Sequence, residues 1–400
     1  MSLELRNLKK EYLRNILTVS LSNRNYSTVV LRASFPLDDI RDILEELKKE
    51  FNITNLIILD FDADKIKTFY EINPSEIDIE KFIPRFPEPV GNIKFIYFEN
   101  VTDTDTTYHD DYANKYFKDL DKYNEELFKR INNKANEDVT VTACPNKKWA
   151  ESLLGRQSKL DELWLKISKT LLSPNSLEKD VKEKVERKNE LNRMKIRNLC
   201  FYTNLGTDLR IALNPHSIWY CEPNTIDGKT NFFNYPAYEI FTSPDCYSAE
   251  GKIVLSRKEK FYYDIMVEKA IFEFAKGRLV SCKSNNENFD GILLNKPNKM
   301  NRIGEIALVS QDSPLAKLED FYNSVLLDEN SGCHFALGNY ISECANIDKE
   351  KIDKNGARYY HYNNSLYHTD LVFGNDSITV EAETKDKKKI LLMDQGKWKI

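Results

Sequence analysis

Residues 27–62, STVVLRASFPLDDIRDILEELKKEFNITNLIILDFD, decide the fold of the first part of the chain. Two short runs of β-branched and apolar residues, STVVLRAS and NLIILDFD, flank a segment with helical spacing of its apolar residues, which are Ile40, Ile43, Leu44 and Leu47. A strand, a helix and a second strand of these lengths are typical of a βαβ unit, in which the two strands run parallel.

Two further runs, IKFIYFEN at 93–100 and VTVTAC at 139–144, continue this alternation. The sequence therefore predicts an N-terminal α/β domain over residues 1–175, with a mostly parallel sheet and flanking helices. The chain contains neither G-x-G-x-x-G nor G-x-x-x-x-G-K-S/T, the glycine-rich patterns that cradle phosphates. Nucleotide binding therefore has no support in the sequence.

The pattern changes after the SPNS segment at 173–176, which is a suitable domain junction. Residues 177–194, LEKDVKEKVERKNELNRM, predict a largely solvated helix with a thin apolar stripe. The next segment, NLCFYTNLGTDLRIAL at 198–213, alternates apolar residues on both sides of a turn at Gly206, Thr207 and Asp208. This alternation predicts an antiparallel hairpin.

Short strand-like segments recur through the rest of the chain, namely YEIFTSP, GKIVLS, GRLVSC, GILLN, GEIALVS and YHTDLVFG. Between them, EKFYYDIMVEKAIFEFAKG at 259–277 predicts a long helix. Residues 176–400 are therefore predicted to form a β-rich α+β domain.

The composition limits the kind of protein and its partners. The 400 residues exceed what one hydrophobic core supports, and 58 basic against 63 acidic residues give a net charge of only −5. This balance argues against nucleic acid as the main partner. The charged N-terminus, the lack of any run of about 18 apolar residues and an odd number of cysteines without a Cys-x-x-Cys pair predict a cytoplasmic protein with no membrane partner.

One C-terminal segment, NNSLYHTDLVFG at 363–374, carries two polar residues inside an apolar strand. Residues two apart in a strand point to the same face, so His368 and Asp370 stand side by side. In apolar surroundings they must pair with each other, accept other hydrogen bonds or bind a metal, because an unpaired buried charge is too costly.

Other carboxylates and one more histidine interrupt apolar segments of the same half-chain, namely Glu239 in NYPAYEIFTSP, Glu305 in RIGEIALVS, and Glu329 and His334 in DENSGCHFALGNY. Each one alone has a structural explanation, as an edge residue, an ion-pair partner or a hydrogen-bonded core histidine. Together, carboxylates and imidazoles suit zinc, cobalt or manganese, in numbers sufficient for two ions. The residue types leave a structural role and a metal site both open.

From about residue 149 to the end, the chain resembles the aminopeptidase T and aminopeptidase S family, the thermophilic metalloprotease family of dinuclear metallo-aminopeptidases. The resemblance rests on an ordered set of segments, namely GRQSKLDELW, LNRMKIRNLCFYTNLGTDLRIAL, NYPAYEIFTSP, IGEIALVS, DENSGCHFALG, NNSLYHTDLVFG and GKW. The first 140 residues match that family only in length and in their alternation of helices and strands.

The resemblance implies that residues 176–400 are a catalytic domain holding two divalent metal ions, zinc, cobalt or manganese. The implied metal ligands are Glu239, Glu305, Glu329, His334, His368 and Asp370. Of these, Glu305 also assists proton transfer, and Asp370 bridges the two ions. The implied activity is removal of N-terminal residues from peptides with a free N-terminus, by two-metal activation of a water. A homodimer is implied as well.

The chain departs from the family pattern at two places. The family tyrosine that lies against the metals falls at position 341, which is Ile341 here, so the resemblance assigns this catalytic role to the preceding Tyr340. Ala237 and Tyr238 stand where the family has glycine or a small turn residue. The alternatives are a degenerate relative that binds peptide or metal without turnover, and a hydrolase of other amides.

Overall fold

The computed structural model describes residues 2–22, 26–62, 65–66, 92–99, 139–226, 229–261, 265–295, 300–318, 321–365 and 367–400. The chain forms two compact units. The N-terminal unit comprises Met1–Leu177 and Pro223–Pro236, and the C-terminal unit comprises Glu178–Glu222 and Ala237–Ile400. The predicted division into 1–175 and 176–400 placed residues 223–236 in the C-terminal domain, whereas this segment returns to the N-terminal unit.

The helices of the described residues are α1 (Leu3–Ser20), α2 (Arg41–Glu50), α3 (Lys147–Leu154), α4 (Leu160–Ile167), α5 (Pro174–Arg193), α6 (Glu287–Asn295), α7 (Pro314–Leu318), α8 (Val325–Glu329) and α9 (Lys349–Asn355). Within this part of the chain, none of the helices is both long and apolar enough to cross a membrane.

The strands of the same residues are β1 (Thr28–Ala33), β2 (Asn55–Asp60), β3 (Ile93–Phe98), β4 (Val139–Thr142), β5 (Ile196–Tyr202), β6 (Asp208–Ala212), β7 (Asn224–Ile226), β8 (Lys229–Asn231), β9 (Asn234–Tyr235), β10 (Ile240–Thr242), β11 (Glu250–Val254), β12 (Glu259–Phe261), β13 (Ile265–Val267), β14 (Ala270–Ala275), β15 (Arg278–Ser284), β16 (Ile303–Leu308), β17 (His334–Gly338), β18 (His368–Val372), β19 (Thr379–Thr384), β20 (Lys389–Asp394) and β21 (Lys397–Trp398).

The N-terminal unit is built on a parallel sheet with the strand order β2-β1-β3-β4-β9. Every residue of β1 is buried, as expected for an inner strand of a sheet covered on both faces. Helix α2 turns Ile43, Leu44 and Leu47 inward, which are three of the residues that predicted it. The predicted α/β domain with a mostly parallel sheet is confirmed.

The C-terminal unit contains a four-stranded sheet, β10-β16-β17-β18, and an eight-stranded sheet, β15-β14-β11-β6-β5-β19-β20-β21. One hydrophobic core includes residues of both sheets, and the Phe335 ring packs edge-on against Phe272 and Phe373 within it. The predicted hairpin is the β5–β6 pair, in which Tyr202 lies opposite Asp208. The β-rich α+β prediction is confirmed.

Two local predictions were wrong. The described residues of 259–277 form β12, β13 and β14 instead of a long helix. In β14, buried Phe272 and Phe274 alternate with exposed Ile271 and Glu273, which is the period of a strand. The GILLN segment at 291–295 ends helix α6 instead of forming a strand. Phe289 and Leu293, one helical turn apart, are both buried in the core.

Candidate metal centre

One face of the four-stranded sheet brings together the predicted ligands. On β16, Ile306 and Leu308 point into the core, so Glu305 and Ala307 lie on the opposite face. In the cross-strand register, Glu305 and Asp370 both pair with Ala336. The small side chain of Ala336 therefore leaves room for the larger side chains of Glu305 and Asp370 on either side of it.

Two glycines allow these strands to approach closely. A β-bulge interrupts the β16–β17 pairing at Gly304, where an added Cβ atom would lie 2.1 Å from the backbone oxygen of Asn339. Gly338 has a φ of +117°, and a Cβ atom there would lie 2.1 Å from the backbone oxygen of Tyr367. Because Gly338 pairs with His368, this close approach fixes the histidine end of β18.

The side chains on this face form two groups of candidate ligand atoms. His334 Nε2 lies 3.0 Å from Glu239 Oε2, and His368 Nε2 lies 3.0 Å from Glu305 Oε2 and 3.4 Å from Asp370 Oδ1. One group comprises Glu239, Glu305 and His334, and the other comprises Glu305, His368 and Asp370. Within each group the ligand atoms lie within 4.8 Å of one another, and Glu305 belongs to both.

Backbone carbonyls set the orientation of both imidazoles. His334 Nδ1 lies 3.1 Å from the oxygen of Gly332, and His368 Nδ1 lies 2.9 Å from the oxygen of Asn339. Because a carbonyl only accepts hydrogen bonds, each Nδ1 is assigned as the N–H donor, which directs Nε2 toward the carboxylates. Metal-binding histidines are commonly held in this way.

Burial and charge shift the pKa values on this face. Burial disfavours a charged His334, but the hydrogen bond and the charge of Glu239 outweigh it and raise its pKa to about 9. For His368, Asp370 and Glu305 likewise overcome burial and raise the pKa to about 12. Burial raises the pKa of Glu305, while the His368 imidazole lowers that of Asp370 against the effect of burial.

The donor set fits a divalent cation. Three carboxylates converge on two imidazoles, and no lysine or arginine of the described residues forms an ion pair with those carboxylates. Oxygen and imidazole nitrogen donors suit zinc, cobalt and manganese. The side chains of Glu305 and His334 are 6% and 1% exposed, whereas that of His368 is 29% exposed, so the face is open to solvent on the His368 side.

Two predicted site residues lie outside both groups. Glu329 ends helix α8, and its Oε1 accepts a hydrogen bond of 3.3 Å from Asn330 Nδ2. The Tyr340 ring stacks on Tyr362, with ring centroids 5.0 Å apart and planes 21° apart. The ligand role of Glu329 and the catalytic role of Tyr340 stay predictions.

Sequence reasoning missed two residues next to the site, Lys184 and Asn330, which both bind the backbone between Ala237 and Tyr238. Ala237 and Tyr238 are buried and have no positive φ, so the backbone here does not require glycine. Instead, Lys184 Nζ donates to the Ala237 oxygen, and the Tyr238 N–H donates to Asn330 Oδ1 at 2.6 Å. The sequence offered little signal for either partner, since Lys184 lies among the charges of a helix predicted to be solvated, and Asn330 lies beside a candidate ligand.

Comparison with known proteins identifies the family of the chain. The family model described as thermophilic metalloprotease (M29) matches residues 92–398. Aminopeptidase 2 of Geobacillus stearothermophilus is 26% identical over 274 residues, which are 65% of this chain and 64% of that protein. Aminopeptidase T of Thermus thermophilus is 30% identical over 199 residues, 48% of this chain and 47% of that protein. The chain thus spans between about half and two thirds of these relatives' lengths.

Solved structures show the same fold. Wild-type AmpT from Thermus thermophilus superposes with a TM-score of 0.79 at 20% identity, over 98% of this chain and 99% of that one. A 2,5-dihydroxypyridine dioxygenase from Pseudomonas putida KT2440 has a TM-score of 0.51 at 13% identity, over 98% and 96% of the two chains. The family match covers well over half of the sequence, and the resemblance noted in the C-terminal motifs is confirmed: the chain belongs to the thermophilic metalloprotease (M29) family.

Proposed function

We propose that this protein is a metal-dependent aminopeptidase that removes N-terminal residues from peptides. The observation that carries the proposal is the convergence of two ligand groups on one sheet face, joined through Glu305. The names of two relatives, aminopeptidase 2 and aminopeptidase T, support the same activity. Peptides with a free N-terminus are the proposed substrates.

The proposed cofactors are two divalent ions, zinc, cobalt or manganese. Glu239 and His334 would hold one ion, and His368 and Asp370 the other. Because Glu305 belongs to both groups, we propose that it contacts both ions in place of Asp370, to which the resemblance gave that role. Such a pair of ions, when bound, supplies an activated water and polarises the scissile carbonyl. Glu329 is proposed as a further ligand from the edge of the site, where Asn330 holds its carboxylate.

Glu305 is proposed to move the proton. Its carboxylate is buried and lies 3.0 Å from His368 Nε2, so it is held inside the site, where it can accept a proton from an attacking water. It takes a proton from the attacking water and returns it to the departing amine. The side of the face near His368 is open, which gives the peptide a route to Glu305. Tyr340 is proposed to contact the reacting peptide.

The test is a peptide-release assay on the purified chain. We expect release of amino acids from unblocked peptides, no release from the same peptides after N-acetylation, loss of activity with a chelator, and recovery with zinc, cobalt or manganese. Asp370→Ala and His368→Ala should abolish release. His361→Ala is the matched control, because His361 is a 54%-exposed histidine that pairs with Asp245 away from the site.

The outcomes separate the alternatives. Undiminished release in both Asp370→Ala and His368→Ala would contradict the proposal. Metal binding without cleavage of any member of a peptide library would instead indicate a relative that binds without turnover. Cleavage confined to other amides or esters would indicate a different hydrolase with the same site.

A further inference from the structure

The peptide group between Ala237 and Tyr238 is held at both of its polar atoms. Lys184 Nζ donates to its carbonyl oxygen, and its N–H donates to Asn330 Oδ1 at 2.6 Å. These two atoms belong to one planar unit, so the two hydrogen bonds together fix the orientation of that plane. The next residue is Glu239, whose carboxylate reaches His334.

Lys184 is unusual for a lysine on a charged helix. Its side chain is only 5% exposed, and its ammonium lies 3.5 Å from Asp180 Oδ2 one turn earlier on α5. Burying an ammonium is costly unless it is paired and hydrogen-bonded. Asp180 and the Ala237 oxygen meet that need, and the hydrogen bond brings a positive charge to within two residues of Glu239.

Asn330 connects the same peptide to a second carboxylate. It is fully buried, and its Nδ2 donates to the Leu326 oxygen at 3.0 Å and to Glu329 Oε1 at 3.3 Å. Only the amide oxygen can accept from the Tyr238 N–H, so this network fixes which way the amide points. One side chain therefore holds the backbone before Glu239 and also the carboxylate of Glu329.

We propose that Lys184 and Asn330 are positioning residues of the metal centre, which hold the Ala237–Tyr238 peptide so that Glu239 meets His334. The inference rests on the proposed function only in requiring that a metal binds at Glu239 and His334.

The experiment is a cobalt titration of the metal-free full-length chain, followed by absorbance and calorimetry. Glu239→Gln identifies which binding step belongs to the Glu239–His334 group. Lys184→Met and Asn330→Leu should raise the Kd of that step by about 10-fold to 100-fold, as is usual when a partner of a metal ligand is removed. The step that belongs to His368 and Asp370 should change by less than about threefold.

Two further variants provide rescue and control. Lys184→Arg keeps a cationic donor and should recover most of the affinity that Lys184→Met loses. Lys179→Met removes a lysine from the same helix, with a side chain 80% exposed and a 3.8 Å ion pair to Glu183, and should leave both Kd values unchanged.

The result that overturns the inference is an unchanged Kd at the Glu239–His334 step in folded Lys184→Met and Asn330→Leu, or an equal loss at both steps. If a variant does not fold, Lys184→Gln and Asn330→Ser are titrated instead, because they stay polar but lose the cation and the reach to the peptide group, and the same criteria apply. Wild-type protein that binds cobalt but cleaves no peptide would count against the proposed function alone. Wild-type protein that binds no cobalt would overturn both.

Discussion

Carboxylates are neutralised in opposite ways in the two units of this protein. Between α1 and α2 of the N-terminal unit, Glu46 lies 2.6 Å from Arg6 and 2.9 Å from Lys10, all partly exposed to water. On the metal-site face of the C-terminal unit, Glu239 and Glu305 are buried, and their ion-pair partners among the described residues are imidazoles. The first set is paired with arginine and lysine, which stay charged around neutral pH, whereas the second set is paired with imidazoles, which must give up a proton before they can bind a metal.

The largest expected effect comes from Glu305, the carboxylate shared by both ligand groups. Glu305→Gln should weaken both metal-binding steps and reduce peptide release by at least ~10³-fold, because the proposed metal pair would supply several kcal/mol of transition-state stabilisation. Calorimetry with cobalt and the peptide-release assay measure the two effects. Glu343→Gln, at an exposed glutamate, is the control. Wild-type metal affinity in Glu305→Gln would show that this carboxylate is not a ligand.

Strand patterns carried most of the information that the sequence offered about this site. His368 and Asp370 alternate with apolar residues, so their common face was readable, and the structure places their side chains 3.4 Å apart. The same reasoning failed at 259–277, because Ile271 is apolar but exposed and so hides the period of β14. A helix and a strand are hard to distinguish when both faces carry apolar residues.

Other features were not readable from the sequence at all. Lys184 and Asn330 act on backbone atoms that lie 53 and 92 residues away along the chain, and tertiary folding alone brings them together. The return of the chain to the N-terminal unit ends in β9, a strand of two residues that is too short to show any period. Local pattern predicts elements, whereas these contacts depend on how the elements pack.

The second expected effect in size is a pH dependence of the stabilisation that a bound metal gives. In the metal-free protein the folded-state pKa of His334 is about 9, above the ordinary value of 6.5. Its contribution to stability is therefore present below pH 6.5 and is lost as the pH rises through about 9. The stabilisation by a bound metal changes with pH in the opposite direction. The ligand imidazole must be neutral, so the metal affinity falls as the pH falls.

Urea unfolding with and without a chelator checks this difference. The stabilisation by added zinc should grow between pH 6.5 and pH 9, because the metal-free form loses the contribution of His334 while the metal binds more tightly. His334→Gln should remove about half of that growth, because His368, whose pKa is about 12, also gives up a proton to bind metal in this range. A zinc effect that is the same at both pH values would contradict ligation by His334.

The smallest expected effect lies in the N-terminal unit, where the chain provides both charges. Hydrogen bonds from Arg6 and Lys10 lower the pKa of Glu46 to about 2, so its ion pairs persist until the pH falls from the ordinary glutamate range toward about 2. Because these groups are exposed, Glu46→Gln should lower the melting temperature at pH 7 by only ~2 °C or less, and this difference should vanish near pH 2. Calorimetry with Glu4→Gln, an exposed glutamate in the first turn of α1, as the control measures it. Added zinc should leave the difference unchanged, and a zinc-dependent effect of Glu46→Gln would contradict the distinction between carboxylates paired with lysine and arginine and carboxylates proposed to bind a metal.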